Sequence, residues 1–146
     1  MSNFVVTAFQ PQHSQAVVNL WRQAHSKALD LEPIHSVESQ TYFLQHILPQ
    51  DYDIRVVLDA DTVVAFMASN RNEISQLYVH PEYQGKSIGS LLMEVAKQQS
   101  DGYLSLRTFE KNQPARDFYQ AHGFDFSAGN SDNEEGLPDL LYEWRQ

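Results

Sequence analysis

The sequence predicts an α/β domain with a single mixed sheet and helices on both of its faces. Three observations support this prediction: the length, the β-rich runs, and the helical periods that separate the later runs. A chain of 146 residues is the size of one domain, which we expect to span residues 1–146. The patterns follow the order β-α-α-β-β-β-α-β-α-β-β, which amounts to seven strands and four helices.

The first half of the chain contains one strand, two helices and a hairpin. Residues 4–9 are β-branched and aromatic, which is typical of a strand. Apolar residues recur at helical spacing over 13–29, and a second helix is expected over about 38–48, ended by Pro49. Two β-rich runs within 54–68, joined by a polar turn, predict a hairpin.

The second half alternates strands with helices. The expected elements are a strand at 74–79, a helix from Ile88, a strand at 103–109, a helix at 112–122 and closing strands at 124–126 and 140–144. Gly123 stands where a glycine that terminates a helix belongs. The polar stretch 129–139 connects the closing strands, and we expect it to be a mobile loop.

Composition narrows the possible functions before any motif is considered. Acidic residues outnumber basic ones by 19 to 10, and the net charge of -9 disfavours a duplex nucleic-acid binder. The absence of cysteine excludes disulfides, cysteine-based zinc sites and thiol nucleophiles. The six histidines include no pair at the H-x-x-x-H spacing, so we expect no metal cofactor.

Hydropathy and the first residues of the chain predict the cellular compartment of the protein. The apolar runs are far shorter than the roughly 18 residues that a membrane span requires. The first residues, Met1 to Phe4, have neither the basic region nor the apolar region of a signal peptide. We therefore expect a cytoplasmic protein with no membrane partner.

The segment from Tyr78 to Ser90 has the form of a phosphate-binding device. A strand leads into a loop with two glycines and then into the start of a helix. The first amides of a helix lack intrahelical acceptors and lie at its positive end, and glycines let a ligand approach the backbone. An ordinary strand–turn–helix connection is the alternative.

One nucleotide-binding motif fits only in part. Gly85, Lys86 and Ser87 supply the end of the Walker A pattern, but His80 occupies the position of its first glycine. A P-loop protein that binds ATP or GTP is therefore a distant hypothesis.

A family pattern fits the same segment better. Leu77 to Pro81, Gln84 to Gly89 and Leu91-Leu92 resemble motif A of the GNAT superfamily of acyl-coenzyme-A-dependent N-acetyltransferases, whose signature is [Q/R]-x-x-G-x-[G/A]. Residues 112–124 also resemble the family's segment N-x-x-A-x-x-F-Y-x-x-x-G-F, at the expected distance. One departure is that Ser87 replaces the first glycine of the signature. The resemblance implies a central twisted sheet of the GNAT type.

The resemblance also implies a co-substrate, acetyl-CoA, and the residues that hold it. Backbone amides of the loop bind the pyrophosphate, main-chain groups of the preceding strand bind the pantetheine arm, and an asparagine both caps a helix and meets that arm. The residues assigned to cofactor binding are Leu77, Val79, Gln84, Gly85, Lys86, Ser87, Ile88, Gly89, Ser90 and Asn112.

In such enzymes a primary amine attacks the thioester directly. By resemblance, Tyr119 is the general acid that protonates the leaving thiolate, although a core aromatic role is the alternative. Glu73 is a possible general base or an exposed carboxylate at a strand end. A backbone N–H near Leu77 or Tyr78 stabilises the oxyanion. His80 and His122 are weaker candidates for the base, and we expect His122 to lie at the surface or to cap a helix.

The acceptor is the least defined part of the prediction. By resemblance, residues 30–38 and 129–139 shape its site, and both are rich in acidic residues. They suit a cationic small-molecule or peptide amine, and solvated acidic loops on an acidic protein are the alternative. Trp21, Tyr42 and Phe43 are expected in the core, with a place in the acceptor pocket as the alternative. Relatives commonly dimerise, so a homodimer is possible. The alternative function is a non-catalytic acyl-CoA-binding module of the same fold.

Overall fold

The computed structural model describes residues 3–146, which form seven strands and four α-helices in the predicted order. Their bounds are β1 Phe4–Ala8, α1 Ser14–Leu29, α2 Val37–Tyr42, β2 Asp53–Asp59, β3 Thr62–Ser69, β4 Ile74–Val79, α3 Ile88–Gln99, β5 Tyr103–Phe109, α4 Gln113–Ala121, β6 Asp125–Ala128 and β7 Asp139–Arg145. None of the helices in this part of the chain combines the length and apolar character needed to cross a bilayer.

The strands form two antiparallel sheets rather than one continuous sheet. The first has the order β1-β2-β3-β4 and the second the order β5-β7-β6. A parallel bridge between Glu73 and Ser105 joins β4 to β5 at the beginning of β4. Beyond that bridge the two strands diverge, so the centre of the molecule contains an opening that the sequence pattern does not reveal.

Helices cover both faces of the sheets, which confirms the predicted fold class. On one face, Trp21 of α1 packs against Phe66 of β3, with ring centroids 5.1 Å apart. On the other face, α3 contributes Leu92 and Met93 to a core that also contains Tyr142 of β7. Burial of these apolar side chains is the main source of stability.

The second helix is shorter than predicted. After α2 the chain widens into a π-helical turn over Phe43–Ile47 and then tightens into a 3-10 turn over Leu48–Gln50. Pro49 therefore lies within a helical turn instead of ending a helix, in an early position where its missing N–H costs little.

The changed pitch also alters which side chains face inward. Leu44 and Leu48 are buried, whereas Tyr42 and Phe43 are 60% and 38% exposed. The expectation of a core position is wrong for these two aromatic residues and right for Trp21, which is buried.

The loop between β6 and β7 is tied by hydrogen bonds and does not have the open form expected of a mobile segment. The Asp139 carboxylate accepts from the Asn130 amide at 2.9 Å and from Arg107 at 3.2 Å. The side chain of Asn133 both donates to the carbonyl of Leu137 and accepts from its amide. These bonds satisfy the polar backbone locally, which is how a long loop is ordered.

Candidate active site

One edge of β4 is paired with β3 and the other faces the opening between the sheets. The His80 amide donates to the Val64 carbonyl at 2.8 Å. In an antiparallel pair, every second residue of a strand forms its hydrogen bonds with the partner strand, and the residues between them point the other way. Tyr78 therefore bonds to β3, and the amide and carbonyl groups of Leu77 and Val79 point to the opposite side. An extended ligand can use these main-chain groups as an added strand would.

A cavity of about 490 Å³ adjoins this edge. Its walls come from α1, β4, the loop after β4, the first turn of α3, and α4. Every residue predicted to bind the coenzyme lines the cavity except Lys86, and Tyr119 lines it as well. The structure thus brings two separated sequence segments to one site.

The loop after β4 turns the chain so that the start of α3 faces the cavity. Gly85 and Ser87 both have left-handed backbones, with φ values of +81° and +66°. Ser87 is the N-cap of α3, and its side chain makes no capping hydrogen bond. A left-handed conformation suits glycine and strains serine, so the departure from the family signature carries a conformational cost.

Gly89 lets α4 approach α3 closely. A Cβ atom added at this position would lie 3.1 Å from Cε1 of Phe118. Phe118 precedes Tyr119 in α4, and their ring centroids are 5.3 Å apart. The glycine in the first turn of α3 therefore helps to place Tyr119 beside the cavity.

Asn112 combines two roles that the sequence suggested. It is the N-cap of α4, and its Oδ1 accepts a hydrogen bond from the Ala115 amide at 3.3 Å. The residue also lines the cavity, where a contact with a coenzyme arm stays a prediction.

A lysine that sequence reasoning missed lines the cavity beside the loop after β4. Lys27 of α1 lines the cavity and donates to Oε1 of Gln84 at 3.0 Å, while Nε2 of Gln84 donates to the Val79 carbonyl at 3.1 Å. Lys86 instead lies over the Tyr83 ring, 5.5 Å from its centroid. The small residues Ala24 and Ala28 beside Lys27 were the available signal, because they leave room next to that face of α1.

Tyr119 belongs both to the core and to the cavity. It is 7% exposed and packs against the rings of Phe118, Phe124 and Tyr142. Its hydroxyl makes no hydrogen bond to another residue within 3–146. Burial, followed by the nearby Tyr78, raises the pKa of Tyr119 well above its usual value. The phenol therefore keeps its proton at neutral pH.

Tyr78 connects the cavity with a half-buried pair of ionisable groups. Its ring centroid lies 6.5 Å from that of His25, whose Nε2 is 3.2 Å from Oε2 of Glu135. Burial, and then the Glu135 carboxylate, raise the pKa of Tyr78 to about 12. His25 and Glu135 are separated by 110 positions in the chain, and no sequence pattern links them.

Glu73 lies outside the cavity lining. Its carboxylate accepts a hydrogen bond from the Tyr52 hydroxyl at 2.5 Å, and burial together with this bond raises the pKa of Tyr52 to about 12. Four residues of extended strand, about 13 Å, separate Glu73 from Leu77. Its role as the general base stays a prediction.

The two other histidines named as weaker candidates have defined partners. Nδ1 of His80 accepts from the Glu82 amide at 3.1 Å. His122 is the C-cap of α4, and its Nε2 lies 3.0 Å from the Ser90 hydroxyl. Burial and the charge of Lys97 lower the pKa of His122, which favours the neutral ring, and this ring shares a hydrogen bond with the Ser90 hydroxyl.

Comparison with known proteins adds evidence that is independent of the geometry. The family model described as an acetyltransferase (GNAT) domain matches residues 50–125, just over half of the chain. The match includes the hairpin, β4, the loop, α3, β5 and α4.

Two curated relatives are similar to this chain. A peptidyl-lysine N-acetyltransferase of Escherichia coli K12, YiaC, is 35% identical over 71 residues, which cover 49% of this chain and 48% of that protein. This chain therefore spans about half the length of that relative. A peptidyl-lysine N-acetyltransferase of Salmonella typhimurium, YjaB, is 24% identical over 133 residues, or 87% of each chain.

Solved structures confirm the fold. The PaiA N-acetyltransferase of Thermoplasma acidophilum, solved in complex with coenzyme A, superposes with a TM-score of 0.76. The superposition covers 99% of both chains at 17% sequence identity.

Proposed function

The chain belongs to the acetyltransferase (GNAT) family, and from this membership we propose that it transfers the acetyl group of acetyl-CoA to a primary amine. The observation that carries the proposal is the unpaired edge of β4, which continues through the loop into the start of α3 along one cavity. This arrangement offers main-chain donors and acceptors to a long, phosphate-bearing ligand. We also propose that residues 1–146 act as one catalytic domain.

The coenzyme lies along the backbone of β4, of the loop after it and of the start of α3. The first-turn amides of α3 and the amides of the loop bind the pyrophosphate, because they lack intrahelical acceptors and lie at the positive end of the helix. The Leu77 carbonyl and the Val79 amide, which point away from β3, bind the pantetheine arm. Asn112 approaches that arm from the start of α4.

The ladder of β4 favours one of the two candidates for the oxyanion donor. The Tyr78 amide is used by β3, whereas the Leu77 amide points into the opening. We therefore assign the oxyanion contact to the N–H of Leu77. A fixed backbone donor in a site shielded from water stabilises the developing negative charge.

The reaction itself requires one bond to form and one to break. The neutral amine forms the C–N bond while the carbonyl oxygen takes the negative charge, and collapse of this intermediate breaks the C–S bond. The Tyr119 phenol gives its proton to the leaving sulfur and recovers one from the nitrogen. Because the raised pKa of Tyr119 keeps the phenol protonated, the acid is present at neutral pH.

The acceptor that we propose is the side-chain amine of a peptide lysine. The two curated relatives are peptidyl-lysine N-acetyltransferases, and this chain carries a net charge of -9. Acidic residues also concentrate in the β6–β7 loop, which attracts a cationic segment.

A non-catalytic acyl-CoA-binding module remains the second candidate. The strained Ser87 at the centre of the loop is the specific observation that favours it, since the family signature has glycine there. The free hydroxyl of Tyr119 in the cavity favours the enzyme.

A thermal-shift series followed by an activity assay tests the proposal. Acetyl-CoA and coenzyme A at about a hundred times their Kd should each add roughly 2.7 kcal/mol of stability, whereas ATP with magnesium should add none. Release of free thiol with a lysine peptide then separates the enzyme from the module. Stabilisation without thiol release supports the module, and stabilisation by ATP with magnesium alone contradicts both.

A further inference from the structure

The cavity lacks a group that can take the proton of the acceptor. Among residues 3–146, its lining includes no carboxylate and no imidazole. A lysine side chain arrives as an ammonium ion at neutral pH and must lose a proton before it can attack. Glu73 is about 13 Å along the strand from Leu77 and is engaged with Tyr52. The proton acceptor must come from another wall.

The pair formed by His25 and Glu135 lies behind Tyr78 of the cavity lining, and neither His25 nor Glu135 is itself part of that lining. His25 stands on α1 between Ala24 and Ala28, which both line the cavity. Glu135 comes from the β6–β7 loop, so the pair bridges two elements. The side chains of His25 and Glu135 are 19% and 13% exposed, respectively. They are therefore shielded from most of the solvent and still reachable.

Two aromatic rings surround His25, and one of them belongs to Tyr78 of the cavity lining. The His25 ring packs edge-on against Phe109 of β5, with centroids 6.4 Å apart, and on its other side it faces Tyr78. Tyr78 is the titratable side chain that faces the pair from β4. It also lines the cavity with Tyr119, so one tyrosine is near both the proposed proton donor and the His25–Glu135 pair.

We propose that Glu135 is the general base of the transfer reaction and that His25 is the residue that positions it. This inference rests on the proposed acetyltransferase function. The ammonium gives one proton to the Glu135 carboxylate, which passes it to solvent, and the amine lone pair then attacks the thioester carbon. His25 donates from Nε2 to Oε2 of Glu135 and leaves the other carboxylate oxygen to the substrate.

The same loop provides a matched control. Glu134 pairs with His35 at 2.7 Å, also between the β6–β7 loop and the helical side of the molecule. Its side chain is 63% exposed and that of His35 is 53% exposed. Glu134→Gln removes the same charge from the same loop, yet it does so in solvent and away from Tyr78.

The test compares Glu135→Gln with Glu134→Gln, using a lysine peptide and acetyl-CoA. We expect kcat/KM at pH 7 to fall about a hundredfold in Glu135→Gln and at least tenfold less in Glu134→Gln. The Glu135→Gln loss should shrink as the pH approaches the lysine pKa of about 10.4, where the free amine no longer needs a base. A peptide with an aminooxy group in place of the lysine amine, which is neutral at pH 7, should restore the rate.

Other outcomes overturn the inference. Equal losses in the two variants, or no recovery with the aminooxy peptide, would mean that Glu135 only tethers the loop. A pH profile changed by Glu73→Gln and not by Glu135→Gln would place the base at Glu73. Failure of the wild-type protein to acetylate any amine would instead reject the proposed function. Glu135→Asp is a second variant if Glu135→Gln does not show the acetyl-CoA thermal shift of the folded protein.

Discussion

The proposed coenzyme side and the proposed acceptor side of the site are built in different ways. The coenzyme side consists of one continuous segment, β4 through the start of α3, and acts mainly through its backbone. The acceptor side joins α1 to the β6–β7 loop through side-chain pairs from distant parts of the chain. Because of this difference, changes in backbone conformation should affect coenzyme binding, and changes of single functional groups should affect turnover.

After the loss expected for Glu135→Gln, the largest expected effect is on turnover, at the tyrosine between the two proposed sides. Tyr119→Phe removes the proton that the thiolate needs, and we expect kcat to fall at least tenfold, about 1.4 kcal/mol or more in the barrier. Coenzyme affinity should hardly change, because the hydroxyl bonds to no other residue within 3–146.

Tyr142→Phe is the matched control for this variant. Tyr142 is a buried tyrosine of the same aromatic cluster, with a ring centroid 5.8 Å from that of Tyr119, but it does not line the cavity. Steady-state kinetics of both variants show whether the Tyr119 hydroxyl acts as the acid or the residue serves only in packing. An equal fall in kcat would assign Tyr119 to packing alone.

A smaller loss, in stability and in coenzyme binding, is expected from Gly89→Ala, which disturbs the close approach of α4 to α3. Gly89→Ala places a methyl group 3.1 Å from the Phe118 ring, so α4 or the ring must shift. Overpacking costs about 1–3 kcal/mol, and the better helix propensity of alanine returns about 1. We expect a net loss of about 1 kcal/mol in thermal denaturation, with weaker coenzyme binding. An unchanged coenzyme Kd would show that the approach of α3 to α4 does not shape the coenzyme side.

Two lysines near the loop provide a finer comparison. Lys27→Ala removes a charge that lines the cavity, whereas Lys86→Ala removes one that lies over Tyr83. We expect the first to weaken coenzyme binding about fivefold, with an effect that decreases as salt increases, and the second to change it less. Titration calorimetry at two salt concentrations measures both. The opposite order would mean that Lys86 swings into the site when the ligand binds.

The sequence was sufficient for features that depend on neighbouring residues. Strands, helices, the hairpin and the glycine-containing loop after β4 follow from local periodicity and turn residues. The divergence of β4 from β5 depends instead on packing between elements far apart in the chain. The exposure of Tyr42 and Phe43 depends on a change of helical pitch after α2. Single-sequence periodicity assumes a constant pitch and therefore misassigns them.

In the candidate site too, some residues can be found from the local sequence and others only from the tertiary fold. The motif around Gln84 and Gly89 has a fixed spacing, so its residues could be named from the sequence alone. Lys27, and the pair of His25 with Glu135, meet the site only through the tertiary fold. Their contacts span 57 and 110 positions, and one unaligned sequence carries no signal over such separations.

The smallest expected effect concerns Ser87, where the backbone conformation and the residue type disagree. Its φ of +66° is a left-handed value that glycine adopts freely, and its side chain makes no capping bond that would be lost. Ser87→Gly should therefore raise the free energy of unfolding by up to about 1 kcal/mol and leave coenzyme affinity equal or better. Chemical denaturation and a coenzyme titration of the variant measure both quantities. A marked loss of affinity would mean that the Ser87 hydroxyl binds the coenzyme, and that the coenzyme side depends on a side chain after all.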